Sequence, residues 1–502
     1  MVEAPADPTT DRRWIGLAFI CVTIWIQRVD GTVVNVALPR IGDALDASNA
    51  DLQWVIDSFN VVVAGVVLVG SGLADRFGRR RILVLGMGLF CLGSAVTALS
   101  PTIQPILSGR IIMGIGTGLS MPAAMALMSI MFTGPSRKRA VGIWMAVGGL
   151  GIAMGPVIGG VLLSYYGWES VFWVNVPAAI VGGLGVLVLT PESRKPHTDR
   201  LDLLGAALSV VALGSIVFGL IEGPGFGWSS PVIVGSLCLG LIALVAFIYW
   251  ENTCSAPMFD IKVLKIPVVS VSAVSMGLVW FTTFVILYLM PLLFRYGQEY
   301  PLFWVGIAMV PLGLMFAILS QFVPWAMNKI GLRPLLIGGL TMVTAALVVL
   351  ALNPRGNYIL LGLAFVGFAA GWAAIATTGT TAIMDALPLS KAGDASSVNQ
   401  LARQVGAALG LAITGSVVSM VYRAKLTLPP GLSLIEQDQA ERSISQAANL
   451  GRGLPEALSE TLESLARGAF DPAYTAGLLI PAAIAFATAV AAFFVVKPGD
   501  KG

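Results

Sequence analysis

The sequence predicts an all-α polytopic membrane protein with fourteen transmembrane helices. Three observations predict it. Only 11% of the 502 residues are charged and 56% are hydrophobic, whereas a water-exposed surface normally needs about a quarter of its residues charged. Mean hydropathy is +0.85. Apolar runs of about 20 residues recur from end to end, each long enough to cross a bilayer of about 30 Å. A helix satisfies its own backbone polar groups in lipid.

Charged turns separate the spans in order. Trp14–Leu38 follows Arg12 and Arg13 and closes at Arg40. Leu52–Ala74 ends in the stretch SGLADRFGRRRILVLG (Ser71–Gly86), after which come Ile82–Leu99 and Ile103–Met128. Arg137, Lys138 and Arg139 precede Val141–Tyr165, and Val171–Leu189 leads to Arg194, Lys195 and Arg200. Leu203–Ile221 and Pro231–Trp250 form the next pair, with Lys262 and Lys265 behind them. Val268–Leu292 ends before Arg295, Trp304–Met327 before Lys329 and Arg333, and Leu335–Leu350 before Arg355. Tyr358–Ile383 precedes Lys391. Val398–Val421 precedes Arg423 and Lys425, and Tyr474–Val495 precedes Lys497 and Lys501. Read alternately, these turns put most basic residues on one face, which the positive-inside rule makes cytoplasmic together with both termini. The polar start, Met1–Asp11, followed by many spans, does not fit a cleaved signal peptide.

Several function classes are poorly supported. The net charge of +3 is scattered over short loops and builds no nucleic-acid patch. Cys21, Cys91, Cys238 and Cys254 form no Cys-x-x-Cys pair, and His197 stands alone in a polar loop, so no metal site or cofactor is expected. No G-x-x-x-x-G-K-S/T loop occurs, which argues against an ATP-driven pump. No nucleophile and base sit at usable spacing, which argues against an enzyme.

The opening turn has a faint copy. In WAMNKIGLRPLLIGG (Trp325–Gly339), Gly331 aligns with Gly78, Arg333 with Arg80 and Gly339 with Gly86. Both follow the second span of a six-helix block. This predicts six helices, two extra and six more: a tail over 1–13, bundles over 14–190 and 268–495, an inserted pair over 201–250 and a tail over 496–502. Related halves around a midplane site are a common transporter plan. The long loop over 422–473 is placed in the second bundle, facing outward. Leu434–Leu450 and Leu454–Ala469 within it read as short amphipathic helices, either covering the outer mouth or forming a loose flap.

Charge inside a span is costly and is kept where it faces a cavity or a partner. Asp30, in QRVDGTVVNVALP, is the leading proton-coupling candidate; the alternative is a structural cap beside Gly31. Arg28 is two residues away and so lies off the face of Asp30. It either lines the cavity, disfavouring purely cationic solutes, or snorkels toward headgroups. Arg110 cannot readily deprotonate and is suited to biasing a nearby acid. Asp57, with Trp54 and Asn60 nearby, is a second proton-site candidate. Asn35, Trp54, Asn399, Arg403 and Gln404 are cavity or gating candidates; Asn399 and Arg403 share a face at i, i+4. Trp25, Trp144 and Phe284 are candidates for an apolar bed. In the fifth span, Gly142, Gly151, Gly155, Gly159 and Gly160 remove bulk, and Pro156 favours a kink.

These motifs together resemble the major facilitator superfamily, and within it the fourteen-helix drug:proton antiporters, over essentially Trp14–Val495. Leu73, Ala74, Asp75, Arg76, Gly78, Arg79 and Arg80 match the turn signature G-x-L-A-D-R-x-G-R-R, with Ser71 at its first glycine. Gly142, Gly151, Gly155, Pro156, Gly159 and Gly160 match the antiporter signature of the fifth helix. Asp30 to Pro39 resembles D-x-T-V-V-N-V-A-L-P. Met113 stands where Gln is common, and GWESVFWVNVP carries Glu169 in place of Arg. The resemblance implies a major facilitator fold and export of hydrophobic or amphiphilic drugs, driven by the proton gradient through alternating access. It implies a cell-membrane protein working as a monomer with lipid, protons and a small-molecule substrate as partners. Asp75, Arg76, Gly78, Arg79 and Arg80 become a cytoplasmic gate. Export of an endogenous lipid or secondary metabolite, and a non-transporting receptor or scaffold, are the alternatives.

Overall fold

The computed structural model describes residues 8–132, 134–194, 202–254, 261–387 and 392–495. His197, residues 1–7 and 496–502 of the two tails, and the loop cations Lys195, Arg200, Lys391, Lys497 and Lys501 lie outside the described residues. So do the side chains of Asp75, Arg137, Lys138 and Arg139.

Fourteen helices are long and apolar enough to cross a membrane, and no strand occurs among the described residues. The first six spans are α1 (Pro8–Leu45), α2 (Asn49–Phe77), α3 (Arg79–Ala98), α4 (Ile103–Met131), α5 (Gly134–Tyr165) and the pair α6 (Ser170–Trp173) and α7 (Asn175–Leu189). Then come α8 (Leu203–Phe226) and α9 (Pro231–Thr253). The last six are α10 (Pro267–Leu292), α11 (Leu302–Ser320) with α12 (Val323–Ile330), α13 (Leu332–Leu352), α14 (Tyr358–Asp385), α15 (Ala392–Lys425) and α18 (Glu456–Val495). Between these last two lie α16 (Leu434–Arg442) and α17 (Ile444–Gly451).

Polar side chains cap the start of several helices. Ser48 and Asp51 form a capping box at α2, and Ser433 and Glu436 form one at α16. Hydrogen bonds from the Ser433 backbone and hydroxyl hold the Glu436 carboxyl below its ordinary range. Small residues let the helices close up: a Cβ on Gly93 of α3 would meet the Gly109 carbonyl of α4 at 2.5 Å.

The repeated turn is built alike in both halves. Gly78 (φ 112°) links α2 to α3 and Gly331 (φ 86°) links α12 to α13, both in the left-handed region. Arg80 Nη1 donates to the Leu187 and Thr190 carbonyls that end α7, at 3.3 and 3.2 Å. Arg333 Nη2 donates to the Phe493 carbonyl near the end of α18, at 2.7 Å. Each arginine thus satisfies the last carbonyls of the sixth span of its own half. Between the halves, α2 packs on α15 and α5 on α11; α8 rests on α2 and α15 with α9 against it.

Three expectations need correction. The span expected over Trp304–Met327 breaks after Ser320 and resumes as α12. The helix expected over Leu454–Ala469 is not separate, because α18 runs unbroken from Glu456. Its buried stripe of Leu462, Ala466, Ala469, Ala473 and Gly477 keeps one helical phase through Pro472, so nothing ends the helix there. The segment expected as Leu434–Leu450 divides at Ser443, whose hydroxyl caps α17. The segment is docked: Gln446 donates to the Asp46 carbonyl at 2.8 Å and Asn449 to the Asp43 carbonyl at 3.2 Å. Arg452 pairs with the Asp43 carboxylate at 3.3 Å. Tyr296, just past α10, donates to the same carboxylate at 3.0 Å. These contacts close the face opposite the arginine turns.

Candidate functional site

A cavity lies between the two halves, in two joined chambers of about 60 and 290 Å³. Both are lined by Arg28 of α1, Ile152 of α5, Trp280 of α10 and Arg403 of α15. The larger chamber continues to Ser320, Gln321 and Pro324. Ser320 and Gln321 end α11 and Pro324 opens α12, which leads to the Gly331 turn, so the cavity extends toward the face of the arginine turns.

Its walls are aromatic. Trp280 meets Trp372 edge to face at 5.6 Å, and Phe316 stacks on Trp372 at 3.9 Å. Trp144 and Phe284 line the chambers as expected from the sequence. Gln27, Asn60, Thr117 and Gln404 add polar groups. The guanidiniums of Arg28 and Arg403 lie over the Trp280 ring, 5.9 and 4.6 Å from its centroid. Neither lining set includes an Asp or Glu. Arg28 can sit there because α5 comes close: a Cβ on Gly151 would meet the Cβ of Arg28 at 2.9 Å.

Asp30 points the other way, into the first bundle. Arg110 Nη1 donates to its Oδ2 at 2.7 Å and Asn175 Nδ2 to its Oδ1 at 2.8 Å. Asn175 also donates to Ser94 Oγ at 3.0 Å, and Ser94 in turn to the Phe172 carbonyl at 2.7 Å. Arg110 Nε donates to the Val55 carbonyl at 2.8 Å. Exposure is 0% for the Asp30 side chain and 1% for that of Arg110. The Phe59 ring lies 4.4 Å from the Arg110 guanidinium and also lines the cavity. Phe59 therefore touches both the cavity and the ion pair. Met113, where Gln is common in the resembled signature, lies with its sulfur 3.9 Å from Arg110 Nη1.

Other expected residues fall into distinct places. Asp57 is buried beside Asn60, yet neither of its oxygens has a hydrogen bond of normal geometry. Trp54 does not line the cavity; its indole donates to Glu222 of α8 at 3.0 Å. Asn35 donates back to the Gly31 carbonyl at 3.0 Å, and Asn399 is buried; neither is in the lining. Arg403 and Gln404 are. Trp25 borders a separate lateral pocket with Trp14 and Cys21.

The arginine turn engages its own bundle. Glu192, after α7, accepts from the backbone of Arg80 at 3.1 Å and Arg81 at 3.2 Å. It thereby caps the start of α3, where a carboxylate also complements the helix dipole. The Arg79 backbone donates to the Ser193 carbonyl at 2.9 Å. Arg76 is exposed, with its guanidinium over Phe77. In α5, Gly151, Gly155 and Gly159 face α1, while the Pro156 carbonyl and Gly160 lie against Gly306 of α11. Gly142 belongs to the same helix. The motif thus serves one seam within a bundle and one between bundles.

Sequence reasoning missed Asn175, Ser94, Glu192, Trp280 and Trp372. Asn175 stood within GWESVFWVNVP, a polar residue in an apolar run. The indoles carried no signal beyond composition.

A profile of the Major Facilitator Superfamily matches residues 20–411. The chain is 32% identical over 419 residues to the multidrug resistance protein Stp of Mycobacterium tuberculosis, covering 83% of this chain and 77% of that protein. It is 31% identical over 501 residues to the methyl viologen resistance protein SmvA of Salmonella typhimurium, covering 98% and 99%. Among solved structures, an inward-facing, unoccupied bacterial homologue of the human lysosomal transporter Spinster matches with a TM-score of 0.68. Its identity is 18%, with 97% of this chain and 99% of that one covered. A POT family peptide transporter matches at 0.66 and 16%, covering 97% and 98%. These two likenesses show the fold.

Proposed function

Since the chain belongs to the Major Facilitator Superfamily, and is thus a secondary transporter of small molecules related to multidrug-resistance proteins, we propose that it exports hydrophobic or amphiphilic compounds by proton antiport and alternating access. The observation that carries this reading is the Asp30–Arg110 pair, sealed behind Phe59 at the wall of the cavity. The face carrying the arginine turns is cytoplasmic, by its excess of basic residues, so the cavity extends inward. Solute enters there, or from the inner leaflet, and rests on the indoles. Both termini are cytoplasmic, and the protein works as a monomer in the cell membrane.

Asp30 and Arg28 ride on one helix. Protonating Asp30 removes its charge from Arg110 and loosens α1 from α4. The same movement of α1 shifts Arg28 in the cavity, so proton uptake and solute release become linked. Arg110 stays charged throughout and acts as the fixed partner. Asp57 serves as a second proton site once the outer side opens. Asp75, Arg76, Gly78, Arg79 and Arg80 stiffen the cytoplasmic gate. Gly142, Gly151, Gly155, Pro156, Gly159 and Gly160 form the seam along which α5 slides. Residues 14–190 and 268–495 move as the two bundles, with 201–250 as a peripheral pair.

D30N in proteoliposomes tests the reading. It should still bind a hydrophobic dye but lose efflux driven by a pH gradient. Unchanged dye/proton exchange would refute it. A second reading, export of an endogenous lipid or secondary metabolite, is favoured by the two arginines in the cavity. Flux of lipid against dye in the same vesicles separates the two.

A further inference from the structure

We propose that the cavity is an anion site: its preferred ligand is a flat aromatic acid, whose carboxylate, sulfonate or phosphate is held between Arg28 and Arg403 and whose ring lies on Trp280 and Trp372. This deepens the export reading and rests on it for the transport step, but not for binding.

The argument is one of charge compensation. The chain has one fully buried arginine among the described residues, Arg110, and supplies it with a carboxylate, a backbone carbonyl and an aromatic face. Arg28 and Arg403 receive no such treatment. Among the described residues neither guanidinium makes an ion pair or hydrogen bond; each is half-buried in the cavity wall, over the Trp280 ring they share. The hold of an indole on a cation is weak beside what an ion loses on leaving water. The two like charges also act on each other across the ring. A cationic solute would add a third. An anion would neutralise both, and guanidinium forks donate to carboxylate, sulfonate and phosphate oxygens in pairs.

The geometry adds shape to the charge. Trp280 and Trp372 meet edge to face, and Phe284 and Phe316 extend the aromatic wall. Gln404 stands in the same lining to donate to a further oxygen, whereas the Gln27 amide already donates to Ser120 and Met87. One arginine belongs to each half of the molecule, so a single bound anion would tie the halves together at the centre.

The test uses purified full-length protein and two probes that share a ring but differ in charge, 2-naphthoate and 2-naphthylmethylammonium, measured by equilibrium dialysis. Wild type should bind the naphthoate at least tenfold more tightly. R28Q and R403Q should each weaken it about fivefold or more, R28Q/R403Q should abolish the preference, and R403K should retain its sign. Equal or tighter binding of the ammonium probe to wild type overturns the proposal without recourse to any variant. So does naphthoate binding that is unchanged in R28Q/R403Q. Ammonium efflux by wild type that is driven by a pH gradient and faster than naphthoate efflux would overturn the anion site and leave the export reading standing. Anion preference without gradient-driven flux of either probe would uphold the site and sink the export reading.

Discussion

Replacing Arg110 by Met should destabilise the protein severely, and replacing Asp30 by Asn in the same chain should restore most of the loss. At a charge separation of about 4 Å and an effective dielectric of about 20, the pair attracts by about 4 kcal/mol. Desolvation of the two ions offsets much of that, so the intact pair contributes little net stability. R110M alone leaves a carboxylate that is 0% exposed, with Asn175 as its one remaining donor. Breaking a buried pair in this way costs about 3–5 kcal/mol. D30N alone should cost less, because Arg110 keeps the Val55 carbonyl and the Phe59 face. In D30N/R110M no ion remains, and the cost should fall to about 1–2 kcal/mol, set by the shape of the new side chains. The assay is thermal unfolding of the four detergent-purified proteins, read as a double-mutant cycle. The double variant should melt well above R110M and yet show no pH-driven efflux. A double variant destabilised by the sum of the single losses would refute the reasoning, since the two residues would then not act as a pair.

Four further outcomes are expected. G78A should cost more stability than G331A: both glycines have positive φ, worth about 1–2 kcal/mol to an L residue, but only Gly78 would press a Cβ onto Glu192, at 2.7 Å; melting temperatures compare them. G155V should lower the yield of monodisperse protein through about 1–3 kcal/mol of overpacking against Thr32 and the Val29 carbonyl, while G367A, with nothing within 4 Å, should be neutral. F59A should open the wall between cavity and ion pair and raise substrate-free proton leak in dye-loaded vesicles well above wild type, with F59L between the two. If one proton enters for each monoanion that leaves, two positive charges move inward, and a 100 mV inside-negative potential adds about 4.6 kcal/mol of drive. Efflux of an anion should therefore accelerate under such a potential set with valinomycin, and efflux of a monocation should not.

Much of the fold was legible before the structure, and much less of the site. Turn charges and apolar run lengths located all fourteen spans, with the largest miss at the start of α18, Glu456 rather than Tyr474. The errors fell where helix continuation competes with local punctuation. Pro472 does not end α18, because the buried stripe keeps its phase across it. Ser320 ends α11 beside Gln321 and just ahead of Pro324, which opens α12 inside an otherwise apolar run. In the site, Arg28, Arg403 and Gln404 were named from polarity within apolar spans and do line the cavity. Trp54 was named on the same ground and bonds to Glu222 instead. Polarity says that a side chain needs a partner, but not which of its neighbours supplies one.

By itself the sequence determined the membrane environment, the number of crossings, the face with the excess of basic charge and the residues that bring charge into the spans. These are properties of short stretches, because a helix in lipid closes its backbone hydrogen bonds within itself and its exposed length must match the hydrocarbon. Only the tertiary structure decided that Arg28 and Asp30, two residues apart, face a cavity and a sealed ion pair. It also brought Arg403 to the indole that Arg28 covers, gave Asp30 a second donor in Asn175, and set Glu192 on the arginine turn. Such meetings depend on how each helix is rotated about its axis, and that rotation is set by close packing of glycines and side chains from distant parts of the chain.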